Sequence, residues 1–188
     1  AEGTKSKSIL IHICCAPCAT YVCRWFVENG WEVMGYFFNP NLHPYQEFER
    51  VFDTLNLYAA MSGLSIYYDH SYLLDPFLTG TVGKPREEQC AFCYRLRFGK
   101  VIEFAKAHGY ATFSTTLLAS SHDNHEWVRE HGKKLGTETG VTFFYRDFRK
   151  NWQDQVRLRR EMNLYNQKYC GCIFSERDKR LRRDAASL

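Results

Sequence analysis

Residues 8–18 read S-I-L-I-H-I-C-C-A-P-C. The apolar run 9–13 has the length and β-branched content of a buried strand. It passes directly into Cys14, Cys15 and Cys18, with Pro17 beside the last of them. Proline lacks an N–H and suits the first helical turn, so the pattern predicts a helix that begins around 16–18, runs to Asn29 and stops at Gly30. The three thiols then sit on a strand-to-helix corner facing the positive end of a helix dipole, where thiolate is favoured over thiol. Such a corner suits a metal or a redox reaction.

Outward from this corner the chain alternates. Residues 31–38 read as a second strand ended by the turn Asn39-Pro40-Asn41, and 44–61 as an amphipathic helix (Phe48, Val51, Phe52, Leu55, Tyr58) stopped by Gly63. A short strand at 64–68 precedes an irregular region, 69–85, broken by Pro76, Gly80, Gly83 and Pro85. Residues 87–108 read as a helix whose buried stripe is Phe92, Leu96, Val101, Phe104 and Ala105, with Cys90 and Cys93 sharing one face of its first turn. Strands at 110–118 and 141–145, helices at 125–139 and 151–163, and a loop at 165–172 that returns the last two cysteines complete the pattern. The alternation predicts an α/β fold: a Rossmann-like parallel sheet sandwiched by helices, with ligands beyond the carboxyl ends of the strands. Three features fall on that edge: the 14–18 corner, the 120–125 loop and the 146–149 turn.

The 188 residues suffice for a single domain, read as 8–188, with residues 1–7 a flexible lead and a basic segment from about 176. No apolar run approaches the roughly 18 to 20 residues of a membrane span, which leaves the cytoplasm as the expected location. A net charge of +4 is too small to identify a nucleic-acid binder, but its distribution is uneven. Arginines and lysines crowd 146–160 and 177–183, either as solvated helix faces or as a phosphate-contacting surface.

Eight cysteines without a secretion signal read as ligands or catalytic thiols rather than disulfides. Cys14, Cys15 and Cys18 form C-C-x-x-C, Cys90 and Cys93 C-x-x-C, and Cys170 and Cys172 C-x-C. Cys23 points away from Cys18 on its helix and reads as a small buried hydrophobe. Seven clustered cysteines exceed the four of one tetrahedral zinc, so either some are spare or more than one metal atom is held, an iron–sulfur cluster among the options. Surplus thiolates could hold a second, mononuclear metal with Asp147 or Asp123. A thioredoxin-type dithiol at Cys15 and Cys18 is the competing catalytic reading, and a zinc-stabilised RNA-binding module a third. Neither G-x-G-x-x-G nor a P-loop is present.

Taken in order, I-H-I-C-C-A-P-C, F-F-N-P-N-L-H-P, C-A-F-C-Y-R-L-R, T-T-L-L-A-S, Y-R-D-F-R-K and Y-C-G-C-I-F-S resemble the cobalamin-independent epoxyqueuosine reductases, the QueH family. The resemblance covers roughly residues 8–175. It implies a fold like the adenine nucleotide alpha-hydrolase group and reductive removal of the epoxide oxygen of epoxyqueuosine at the wobble position of tRNA. It further implies a 4Fe-4S cluster and a possible mononuclear iron or other divalent metal, with ligands among Cys14, Cys15, Cys18, Cys90, Cys93, Cys170 and Cys172. An external one-electron donor of ferredoxin or flavodoxin type is implied as well. Proton delivery falls to His122, Asp123, His125, Glu126 or Asp147 as loop residues on the active edge. For tRNA the candidates are Arg146, Arg149, Lys150, Arg180, Arg182 and Arg183, with Tyr94 among the aromatics near the motif loops.

Overall fold

A computed structural model of the protein describes residues 7–121 and 123–186. His122 and residues 1–6 therefore lie outside the described residues, and Lys7, read as part of the lead, is the first residue of a strand. In chain order the elements are β1 (Lys7–His12), α1 (Ala16–Glu28), β2 (Trp31–Phe37), α2 (Tyr45–Ser62), β3 (Ser65–Tyr68), α3 (Leu74–Thr81) and α4 (Arg86–Ala107). They continue with β4 (Thr112–Thr115), α5 (His125–Thr139), β5 (Thr142–Phe143), α6 (Trp152–Glu161) and α7 (Ile173–Ala185).

All five strands are parallel, in the order β3-β2-β1-β4-β5. β1 lies at the centre, with Leu10 opposite both Met34 of β2 and Phe113 of β4. Helices cover both faces, so Ile9, Leu10 and Ile11 are all fully buried rather than alternating with polar residues. The strand order reverses between β1 and β4, and such a switch point opens a crevice at the carboxyl edge of a doubly wound sheet. Under α1, Phe26 packs edge-on against Trp25, Trp31 and Phe144, and its complete burial stabilises the fold by roughly 1.5–3 kcal/mol.

Several elements depart from the sequence reading. The region 69–85 contains α3: Pro76 sits in its first turn, where no N–H is needed, and Gly80 lies beneath the Phe92 ring of α4. A Cβ at Gly80 would stand 2.1 Å from Phe92 Cζ, so this glycine is a packing contact rather than a breaker. The buried face of α4 is Cys93, Tyr94, Arg97, Phe98, Val101, Ile102 and Ala105, rotated from the predicted stripe; Phe92 and Leu96 are only half-buried. β4 ends at Thr115, whose Oγ1 accepts the Leu117 N–H and starts a 3-10 turn over Thr116–Ala119. β5 is cut to two residues because it is an edge strand paired with β4 alone. By contrast α5 keeps its predicted bounds: Asn124 Oδ1 caps the Trp127 N–H at 3.0 Å, and Gly140 takes the left-handed φ of +76°.

Candidate metal centre

Cys14 and Cys15 leave the carboxyl end of β1, and Cys18 follows one turn into α1. Their sulfurs all lie within 4.8 Å of one another, and Cys14 Sγ is 3.8 Å from Cys15 Sγ. Thr116, just beyond β4, locks the corner from across the switch point. Its Oγ1 accepts the Cys14 N–H at 2.9 Å and donates to Cys14 Sγ at 3.1 Å. Hydrogen bonds from Cys15, then Cys18, then Thr116 pull the Cys14 thiol well below its ordinary range, while the same sharing pushes Cys15 and Cys18 well above theirs. The dipole expectation thus fails for two of the three sulfurs: Cys15 is the N-cap residue, but its side chain caps no N–H. Three thiols within reach of one another, the Cys14 thiol shifted toward thiolate by its neighbours, are a chelating donor set, and a metal binding there would displace their protons.

The other cysteines line the adjoining space. A cavity of about 910 Å³ is walled by Cys90 and Cys93 of α4 and by Cys170 and Cys172. A smaller one, about 80 Å³, separates Cys14, Cys15 and Cys18 from Cys170. Asn41, Arg97, Asp123, Tyr169 and Cys170 line both, so the sulfur groups face one another across shared walls. The C-G-C turn is held by Asn41 Nδ2 donating to Cys170 O (3.0 Å) and His43 N donating to Gly171 O (2.8 Å). Gly171 itself, at φ +97°, has no room for a Cβ beside Leu42. Arg86 Nη1 reaches Cys172 Sγ at 3.4 Å; with the hydrogen bond from Cys170 as the larger cause, it helps bring the Cys172 thiol down to about 6. Burial pushes Cys93 up to about 12. Cys23 is buried in the core, also pushed up to about 12 by burial, and takes no part.

The candidate acids separate. Asp123 lines both cavities; it accepts a 3.0 Å hydrogen bond from Tyr94 Oη, and burial raises its carboxyl. Tyr94 in turn accepts the Asn124 N–H at 3.0 Å, so this buried tyrosine positions the loop rather than offering a stacking face. His125 and Asp147 line neither cavity. Asp147 binds the Arg149 guanidinium at 2.9 and 2.8 Å, which holds its carboxyl at about 2, and His125 Nε2 lies 3.0 Å from Tyr145 Oη. Glu126 is exposed and paired with Arg129.

Of the cations singled out for tRNA, Arg182 lines the large cavity, together with Lys168 and Lys179. Arg180 is tied to Glu176 at 2.8 Å, and Arg146 lies over the Trp25 ring at 4.5 Å. Lys150 is exposed. The sequence reading did not single out Arg86, Arg97 or Thr116. For Arg97 a signal existed: as the last residue of C-A-F-C-Y-R-L-R it lies four residues beyond Cys93 and seven beyond Cys90, on the helix face that carries both thiols.

This donor set sits in a chain with clear relatives. The family profile described as "Epoxyqueuosine reductase QueH" matches residues 9–178. The chain is 33% identical over 174 residues to the epoxyqueuosine reductase QueH of Dehalococcoides mccartyi, covering 93% of this chain and 95% of that one. It is 32% identical over 181 residues to the protein of the same name from Thermotoga maritima, covering 92% of each. To the one from Staphylococcus epidermidis it is 29% identical over 187 residues, covering 93% and 78%. The sulfur-lined crevice at the sheet's switch point therefore belongs to an oxidoreductase, and the chain is a member of the epoxyqueuosine reductase QueH family.

Proposed function

We propose that the protein reduces the epoxide of epoxyqueuosine at the wobble position of tRNA to the alkene of queuosine. The overall change consumes two electrons and two protons and releases the epoxide oxygen as water. One observation carries the reading: in a chain of this family, seven thiols are disposed around one crevice at the carboxyl edge of the sheet, three of them with sulfurs within 4.8 Å. A donor set of thiols alone fits a 4Fe-4S cluster and a second thiolate-held metal, with ligands drawn from Cys14, Cys15, Cys18, Cys90, Cys93, Cys170 and Cys172. Such groups supply one-electron transfer and Lewis acidity at the substrate oxygen. The electrons come from an external donor of ferredoxin or flavodoxin type.

The chain's own residues supply the rest. The 910 Å³ cavity has room for a nucleobase taken out of its stack with its cyclopentene-derived substituent. Asp123, inside the crevice with its carboxyl raised by burial, is positioned to deliver a proton, with Tyr94 fixing its Oδ1. Lys168, Lys179 and Arg182 at the same cavity are suited to the phosphates that flank the base. No helix among the described residues is long and apolar enough to cross a membrane, consistent with a substrate that is a dissolved RNA. A dithiol reaction at Cys15 and Cys18 is disfavoured, because both thiols are pushed up rather than activated.

The test is purification without air, followed by absorbance, iron, sulfide and zinc determination and an assay on epoxyqueuosine-containing tRNA. Broad absorbance near the visible blue, iron and acid-labile sulfide in cluster proportion with further iron, and alkene formation are expected. Colourless protein holding only zinc after anaerobic reconstitution would refute the cluster reading and favour a binding module.

A further inference from the structure

Arg97 is buried on α4, 3% exposed, and its Nε has no hydrogen-bond partner. Among the described residues no ion pair joins it to a carboxylate within 4.0 Å. The ionisable groups it faces are Cys93 of the large cavity, Asp123 of both and Cys14 of the small one, and Arg97 itself lines both cavities. A guanidinium stays charged at every working pH, and an uncompensated buried charge costs several kcal/mol. Asp123 offers it one carboxyl across the crevice; protonated thiols add nothing to that, whereas thiolates gathered around a metal do. Arg86 does not duplicate the arrangement, because it sits at the Cys170–Cys172 end and is already engaged with both sulfurs, at 3.9 and 3.4 Å.

We propose that Arg97 is the counter-ion of the thiolate-held metal centre: a positioning residue that binds the Cys14 group and the Cys93 group to one centre through its charge and sets how readily that centre takes an electron. The inference rests on the reductase reading above. A one-electron reduction adds one negative charge, with the electron supplied by the external donor and no bond broken. A fixed positive charge between the sulfur groups favours that added charge and disfavours loss of the metal to solution.

The experiment compares wild type, Arg97→Lys, Arg97→Gln and Arg97→Met, all purified without air. Metal content, midpoint potential by spectroscopic redox titration, and the rate of metal loss to a chelator are measured. Arg97→Gln and Arg97→Met are expected to share a more negative midpoint potential and to lose metal about 10- to 100-fold faster, as removal of supporting partners around metal ligands does. Arg97→Lys is expected to stay near wild type. Loading of the Lys variant but not of the neutral ones also supports the charge role; failure of all three to fold or load makes the residue structural and overturns it. A neutral variant with wild-type potential and wild-type metal retention overturns it too, and loss of tRNA reduction in that protein would move Arg97 to the substrate's oxygen. Absence of iron and sulfide from wild type is a different failure, that of the cofactor reading. Chelator loss of whichever metal the thiols then hold still decides Arg97.

Discussion

Replacing Thr116 by valine preserves the shape of a fully buried side chain and removes one hydroxyl. That hydroxyl makes both contacts that tie the loop after β4 to the loop after β1. Without it the Cys14 N–H is left in the interior with no acceptor, at about 1–3 kcal/mol, and the lost bond to the sulfur adds about 0.5–1.5 kcal/mol. The expected destabilisation is about 2–4 kcal/mol, because valine fills the space of threonine and no cavity is opened that would raise the figure. Thr116→Ser is the control: it keeps the hydroxyl and gives up one methyl, about 0.8 kcal/mol. Urea unfolding of reduced wild type and variants at matched metal content should rank wild type above Thr116→Ser and Thr116→Ser above Thr116→Val, with equal slopes. A valine variant at least as stable as the serine variant would show that the hydroxyl does not hold this corner, and the account of Cys14 as anchored from across the switch point would go with it.

Three further outcomes are expected. His12 and His43 are fully buried, and burial is the first cause that brings each down to about 4 from 6.5. The unfolded chain then takes up protons first as pH falls. Their contribution is intact above 6.5 and is lost between 6.5 and 4 at about 1.4 kcal/mol per pH unit for each histidine, so urea midpoints that stay flat from pH 6.5 to 5 contradict it. Gly80→Ala forces a Cβ into the Phe92 ring and should cost about 1–3 kcal/mol, read as a lower thermal midpoint and partly restored by Phe92→Leu; an unchanged midpoint means α3 does not need that approach. Neutralising Arg180, Arg182 and Arg183 together should weaken tRNA binding and reduce the slope of log affinity against log salt by up to about 0.7–0.9 per lost phosphate contact. A slope equal to wild type removes α7 from the interface.

The sequence by itself determined the layered α/β architecture, because strand runs, amphipathic spacing and Gly stops are local signals. Gly30, Gly63 and Gly140 adopt the left-handed backbone their positions suggested, and helix α5 begins and ends where its Asn cap and Gly stop place it. It also marked the seven motif cysteines and placed the first group at the end of the first strand and Cys90 and Cys93 on the first turns of a helix. Tertiary structure decided what neighbours of remote sequence do. Pro76 and Gly80 read as breakers until packing against Phe92 makes a helix of them, and the buried face of α4 is set by the sheet it lies on rather than by its most apolar residues. The sulfurs that share a crevice come from residues separated by up to 158 positions, Cys14 to Cys172. The placement of Cys14 depends on Thr116, across 102 residues of chain. Asp123 was separated from Asp147 and His125 only by where the cavity lies, and Arg97 gained meaning only once burial left its Nε without a hydrogen-bond partner between the sulfur groups. Local pattern encodes backbone conformation. Charge compensation and chelation depend on distances between segments, and these exist only once the sheet has closed.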